Sequence, residues 1–488
     1  MSQKQTILLT GITGAVGSWI AAEALRAGNE IIAIVRDEDT HSARERVRGV
    51  LALADAEDYV DGIRLASGDV CKGLSGLVGE LKGAGVSSFF HCAALTDFSE
   101  SNLKNSRKIN VKGTLNVLSL AEGLGVGICH ISTAYIAGKR SGVVREDETD
   151  VGQDFNNIYE QTKCEAEVLV RQWAARTGLR TFVMRPSIVI GDQFKGRIAN
   201  FSGMYKILRF FDVARKAIGN EMIRVPGRKD VTKNLIPVDY LARTIMHAYA
   251  NGEPNTYHIT NPDPLSLGQL QEIYIRLFNL NGDIVDEEDF QRKEASRAEA
   301  MFQKASALYA PYMAAEPVFD RTNTDEVLLG SDIELPKIDK TYFDRLLGYA
   351  RSVRWGKEKG EPVKSGGRLS KIRGYFDDFL NAKLNEHLLS ELRSLSARFR
   401  IVLKEDPQMH WTLEVREGSL VTVSDDGMVG DCSFIVGSEP LARIVSAKVS
   451  PQEAFLNKDV EIAGDMATGL KLVTMLAEFF RKYPYDIR

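Results

Sequence analysis

Apolar and polar positions change their period several times along the chain. Thr6 to Thr10 form a short apolar run of strand length, and from Gly14 onward Val16, Ile20, Ala24 and Leu25 recur at helical spacing. The same alternation continues to about residue 190. "EIIAIVR" (Glu30 to Arg36), "IRLASGD" (Ile63 to Asp69), "SSFFHCAA" (Ser87 to Ala94), "GICHIST" (Gly127 to Thr133) and "RTFVMRPSIVIG" (Arg180 to Gly191) read as buried strands. Helical stretches lie between them, among them Lys112 to Gly123 and Tyr159 to Thr177. Continuous apolar strands separated by helices predict an α/β fold built on a doubly wound parallel sheet.

From about residue 195 to 350 the pattern loosens into helices and loops, with one more strand-like piece at "NTYHITN". "RWGKEKGEPVKSGGRLSK" (354–371) is charged and glycine-rich and reads as a linker. Beyond it Leu380, Leu384, Leu388, Leu392 and Leu395 mark one helical face. Phe399, Ile401 and Leu403 then alternate with polar positions, as do Trp411, Leu413 and Val415, before "LVTV" and the turn "SDDG". A helix, an antiparallel meander and the apolar closing stretch "GLKLVTMLAEFF" predict a separate α+β domain. The expected divisions are 1–270, a nucleotide-binding domain; 271–353, a helical substrate-side extension; 354–371, the linker; and 372–488, the second domain.

Length and composition narrow this picture. A chain of 488 residues is too long for one hydrophobic core. With 44% hydrophobic and 26% charged residues and a formal charge of −4, it carries no electrostatic footprint for nucleic acid. No apolar run reaches the roughly 18 residues of a membrane span, which leaves peripheral membrane contact open. The five cysteines are scattered without a C-x-x-C pair, and the seven histidines form no metal-binding pattern, so no metal is expected. Scattered thiols fit a reducing compartment, and a cytoplasmic location is expected.

The opening stretch "ILLTGITGAVGSWIAAEAL" has the length of an export signal, but Gly11, Gly14 and Gly17 interrupt it. A strand, a glycine turn and a helix form the entry to a βαβ unit, whose helix N-terminus offers free N–H groups to a pyrophosphate. Gly11 suits the tight turn, Gly14 the close backbone approach and Gly17 close helix–strand packing. Further on, Tyr159-x-x-x-Lys163 places a phenol and an ammonium on one helical face. The charge is expected to lower the tyrosine pKa and make Tyr159 a usable general acid toward a carbonyl. Thr133 ends a parallel strand, where a hydroxyl points into the ligand crevice.

The order TGITGAVG, GDV, HCAA, NVKGT, STAY, YEQTK and RPSIVIG resembles the extended short-chain dehydrogenase/reductase family, with its Rossmann sheet, over residues 5–260. The resemblance implies that Thr133, Tyr159 and Lys163 are catalytic. It implies cofactor contacts from Thr10, Gly11, Thr13, Gly14, Ala15, Val16 and Gly17, from Asp69 and Val70 beside the adenine, and from His91, Ala93 and Ala94. Lys163, Pro186 and Ser187 complete that set. Val35 stands where the family's ribose-binding acid aligns, and Arg36 follows it. A guanidinium fork suits a 2′-phosphate, so NADPH is expected; the alternative is NADH, with Asp37 or Glu38 turned to the ribose.

"IVRDE", "HCAALTDF" and "HISTAYIAG" look like the branch that reduces acyl thioesters. "ALYAPYMAAEPVFDRTNTDEV" and "PKIDKTYFDRLLGYARSVRW" resemble the region after the Rossmann domain in fatty acyl-CoA reductases. This implies an acyl-CoA or acyl-carrier protein substrate, reduced to aldehyde or further to alcohol. Met204 to Ile218 reads as an amphipathic helix, apolar at Ile207, Phe210, Phe211, Ala214 and Ile218 and basic at Lys206, Arg209, Arg215 and Lys216. Packing on the substrate domain is favoured over a lid, a carrier contact or a membrane contact. The final domain resembles the SCP2 sterol-carrier fold, implying a tunnel for a lipid or acyl chain lined by Met466, Leu470, Leu472, Met475 and Phe479; the alternative is that these residues are core and the domain mediates assembly. Two rivals stay open: a hydroxysteroid-type dehydrogenase, and a lipid carrier whose Rossmann domain senses cofactor.

Overall fold

The computed structural model describes residues 4–36, 40–219, 221–356, 372, 375–380, 384, 396–405, 409–424, 430–482 and 484–485. The chain divides into two compact units, Met1–Lys359 and Gly360–Arg488.

In the first unit the apolar runs become the parallel strands β1 (Thr6–Thr10), β2 (Glu30–Val35), β3 (Arg64–Ser67), β4 (Val86–His91), β5 (Gly127–Ile131), β6 (Thr181–Pro186) and β7 (Thr256–Ile259). They form one seven-stranded sheet in the order β7-β6-β5-β4-β1-β2-β3. Every pairing in it is parallel. The helices cover both faces, so Leu8, Leu9, Phe89, Phe90 and Phe182 are fully buried. That is why these strands read as continuous rather than alternating apolar runs. The winding reverses between β1 and β4, where Thr10 pairs with His91 and the crevice opens beyond the strand ends.

Four helices matter for the site: α1 (Ala15–Arg26), α2 (Gly113–Leu124), α3 (Ile158–Thr177) and α4 (Met204–Ile218). One sequence expectation changes here. The stretch Arg180 to Gly191 is two strands, β6 and a short piece Ile188–Ile190 that leaves the main sheet to pair with Leu235–Pro237. Pro186 has no N–H with which to continue the ladder. A second apolar core gathers α4, Leu235, Leu267, Leu270 and Phe302 with the buried Tyr342, Phe343 and Leu346.

The second unit carries β8 (Ala397–Leu403), β9 (His410–Arg416), β10 (Ser419–Ser424), β11 (Cys432–Val436), β12 (Val460–Gly464) and the helix α5 (Met466–Lys482). The expected meander is β8-β9-β10, and β11 extends it by pairing parallel to β8, giving a mixed sheet ordered β10-β9-β8-β11-β12. Along β8 Phe399, Ile401 and Leu403 are buried and their neighbours are not, the alternation of a sheet covered on one face. Most of the expected linker, and Leu388, Leu392 and Leu395, lie outside the described residues.

Candidate active site

At the switch point the backbone forms a cradle. Gly11 has φ +77°, and a Cβ there would lie 2.6 Å from the Ala93 nitrogen. A Cβ on Gly17 would meet the Gly11 carbonyl oxygen at 2.2 Å. Both positions therefore require glycine. Gly14 is the extended N-cap of α1 and supplies no side chain, so the first-turn N–H groups face the crevice without a side-chain cap. A dinucleotide pyrophosphate fits this arrangement of small residues, open N–H groups and helix dipole.

The other expected cofactor residues surround the cradle unequally. Thr13 is exposed at its rim, and Ala15, Val16 and Ala93 are half-buried. Ala94 is exposed. Thr10 differs: its hydroxyl is 2.8 Å from His91 Nδ1, while His91 Nε2 lies 3.1 Å from the Thr114 hydroxyl. Both side chains are buried and tie β1, β4 and α2 together. Asp69 accepts a hydrogen bond from the Cys71 N–H at 2.9 Å, and Val70 packs on Gly113. Pro186 is buried, and the buried Ser187 hydroxyl has no partner among the described residues. Arg36 stands exposed at the end of β2, while Asp37 and Glu38 lie outside the described residues.

Thr133, Tyr159 and Lys163 converge from the end of β5 and the first turns of α3. Asn157 caps α3 by accepting from the Tyr159 and Glu160 N–H groups at 3.1 Å. Thr133 caps the following turn by accepting from the Tyr135 N–H at 3.3 Å. The Tyr159 phenol reaches the side chains of Thr133 and Thr96. Burial pushes its pKa up to about 12, against the hydrogen bonds from those two residues. This corrects the expectation of a lowered value. Lys163 shares the helical face, but its long stem carries the ammonium under the sheet end, where it donates to the Ile131 carbonyl at 2.7 Å and lies 3.3 Å from His130 Nε2. Burial lowers the Lys163 pKa to about 8, partly offset by Glu167 and Cys92.

Beneath this set a buried ion pair joins α3 to β6. Arg185 donates to Glu167 at 2.6 Å, and both side chains are fully inaccessible. Glu167 also accepts from Ser132 at 2.7 Å, next to Thr133. Asn110 locks the loop after β4 by accepting from the Leu95 N–H at 2.7 Å and donating to the Thr162 hydroxyl at 3.0 Å. Motif NVKGT contains Asn110, yet only the fold shows what it holds.

Tyr159 also lines a largely apolar cavity of about 200 Å³. Met204, Ile207 and Phe211 of α4 form one wall, and Leu267, Leu270 and Phe302 lie deeper. The amphipathic helix thus packs as expected, and its inner face also shapes the cavity. Phe98 stacks on Tyr159 with ring centroids 5.9 Å apart and touches Tyr309 and Tyr312. Tyr312 is tied to α3 through Glu160 and through Asn157, which donates to its hydroxyl at 2.6 Å. Thr96, Phe98, Tyr135 and Tyr312 all lie within the quoted stretches HCAALTDF, STAY and ALYAPYM, but only the fold shows that they meet at this site.

In the second unit only part of the expected tunnel lining is internal. Phe479 borders an apolar space of about 10 Å³, and Leu472 is fully buried. Met466 and Leu470 are 46% and 45% exposed, because they share the outer face of α5. The Met475 side chain lies outside the described residues.

A glycine cradle and a hydroxyl pair at the same end of one parallel sheet define the extended short-chain dehydrogenase/reductase class, with an NAD(P)-binding Rossmann domain. Residues 9–245 match the family model described as male sterility protein, and residues 376–477 match that of the SCP-2 sterol transfer family. The nonribosomal peptide synthetase asaC of Aspergillus flavus is 29% identical over 279 residues, 53% of this chain and 26% of that protein. The chain therefore spans about a quarter of that relative's length. Among solved structures, the terminal R domain of the myxalamid PKS-NRPS pathway superposes with TM-score 0.62 at 22% identity, covering 73% of this chain and 93% of that one. A thiolation-reductase di-domain from an archaeal non-ribosomal peptide synthetase gives 0.60 at 20% identity, covering 72% and 76%. These two establish the shared fold. Among the described residues no helix is long and apolar enough to cross a membrane.

Proposed function

We propose that the first unit is an NADPH-dependent reductase of acyl thioesters and that the second unit binds a lipid or acyl chain. The observation that carries the reading is the position of Tyr159, which reaches Thr133 and at the same time lines the apolar cavity. A polar reacting carbonyl held beside those hydroxyls would leave its apolar chain in the cavity.

Gly11, Gly14 and Gly17 would hold the pyrophosphate, and Arg36 would take the 2′-phosphate. Bound there, the dinucleotide supplies hydride. Thr133 and Tyr159 offer two donors to the thioester oxygen and stabilise the charge that develops on it. The raised pKa keeps Tyr159 protonated at neutral pH, ready to pass its proton to that oxygen. Lys163 has three N–H donors, of which the Ile131 carbonyl and His130 engage two, so one remains for the ribose. Collapse of the hemithioacetal releases thiol and aldehyde, and a second round would give the alcohol. A reductase joined to a thiolation domain in the archaeal neighbour supports a carrier-bound thioester alongside acyl-CoA.

The test couples NADPH consumption to free-thiol release with a long-chain acyl-CoA and with the same acyl group on a carrier protein, the product being identified by mass. Stoichiometric thiol with aldehyde or alcohol is expected. Oxidation of a steroid alcohol with NADP⁺, with no thiol from either thioester, would overturn the reading in favour of a hydroxysteroid dehydrogenase.

A further inference from the structure

Lys233 is anomalous in the cavity wall. Its residue is 7% exposed, yet its ammonium has no hydrogen-bond partner among the described residues. The nearest counter-charge, Glu316 Oε1, lies 3.7 Å away, beyond hydrogen-bond reach, and already accepts the Tyr135 hydroxyl at 2.5 Å. Glu316 is also held by the Asn234 N–H and the Thr232 hydroxyl. An ammonium carries three donors, and leaving them unmet away from water is costly. Around it the wall is apolar, with Ile188, Leu235 and Met313 beside the rings of Tyr135 and Tyr159.

We propose that Lys233 determines specificity by donating to a neutral oxygen, a hydroxyl or carbonyl, carried on the acyl chain of the substrate. The inference rests on the cavity's being the acyl site. A neutral oxygen fits better than a carboxylate, because Glu316 already balances the Lys233 charge and a second buried anion would lack a counter-ion. Burial keeps the Lys233 pKa below the usual lysine value and the Glu316 pKa above the usual carboxylate value, each partly offset by the charge of the other. No sequence pattern marks this residue: it is a single lysine ahead of the apolar run "NLIPV".

The test measures binding to the full chain by calorimetry without NADPH, so that no turnover intervenes. A plain long-chain acyl-CoA is compared with isomers bearing one hydroxyl at successive carbons. At least one isomer is expected to bind about tenfold or more tightly than the plain chain. Lys233→Met combined with Glu316→Gln, which leaves no unpaired charge behind, is expected to abolish that preference while retaining the plain chain. Equal affinity for every isomer, or a preference that survives the double substitution, would overturn the proposal. Adding NADPH afterwards and reading thiol tests the thioester assignment separately, since a missing thiol signal leaves the binding ratio intact.

Discussion

Gly17 and Gly11 approach each other so closely that one methyl group cannot be inserted between them. Gly17→Ala should therefore destabilise the first unit by about 1–3 kcal/mol and weaken dinucleotide binding, read by thermal melts with and without NADPH. In the proposed reaction Tyr159 acts at the other end of the cofactor. Tyr159→Phe should cut turnover by about 10²–10⁴-fold with NADPH affinity nearly unchanged; unaltered turnover would remove it from the mechanism. Arg36→Ala should weaken NADPH much more than NADH in parallel titrations, and equal losses would point to residues outside the cradle. Of the ionisable groups in the proposed catalytic set, burial brings Lys163 down to about 8, well below Tyr159 at about 12. The alkaline limb of kcat/KM is expected to follow Lys163.

At the scale of elements, the position of Tyr159 depends on how α3 is held against β5 and β6. Asn157 caps the helix, and the Glu167–Arg185 pair anchors its middle. Burial alone would raise the Glu167 pKa, but Arg185, Arg171 and Ser132 outweigh it and hold the carboxyl at about 2. A folded-state value below the unfolded 4.5 means the stabilisation is present above pH 4.5 and is lost as the pH falls toward about 2. Denaturant midpoints should fall across that window in the native protein and change less steeply in Glu167→Gln. The substitution itself should cost about 3–5 kcal/mol at neutral pH by leaving Arg185 unpaired in the interior. Alternating apolar positions made β8 and β9 legible in the sequence, whereas the break between Pro186 and Ile188 was not, because the apolar run continues across it.

At the scale of the molecule, each unit has a core of its own. The apolar cluster around Trp411, Phe399 and Phe479 lies wholly in the second unit, and the proposed catalytic set lies wholly in the first. A chain ending at residue 359 should fold and retain NADPH turnover with a soluble short-chain thioester. Loss of turnover in that piece, with its circular dichroism intact, would assign the second unit a part in the chemistry. The small space beside Phe479 must widen before it admits an acyl chain. A fluorescent fatty acid titrated against the full chain should therefore quench Trp411, which stacks on Phe376 with centroids 4.2 Å apart, if the chain enters there.

By itself the sequence determined the class of fold and the glycine cradle and singled out Thr133, Tyr159 and Lys163 as candidates, because each depends on local spacing: strand length, helical period, and glycine where no Cβ fits. The division into two kinds of domain was legible for the same reason, as a change of period after residue 371. Tertiary structure alone decided what those residues do electrically. The i, i+4 spacing put Lys163 beside Tyr159, but the carbonyl of Ile131, on a strand distant in sequence, decided where its ammonium points. It likewise turned Thr10 onto His91, put Met466 and Leu470 on an outer face, and brought Lys233, Glu316 and Tyr135 together at one cavity. Those contacts join residues as many as 181 positions apart, and burial, which dominates the Tyr159 and Lys163 pKa shifts, is a property of the packed chain rather than of any segment.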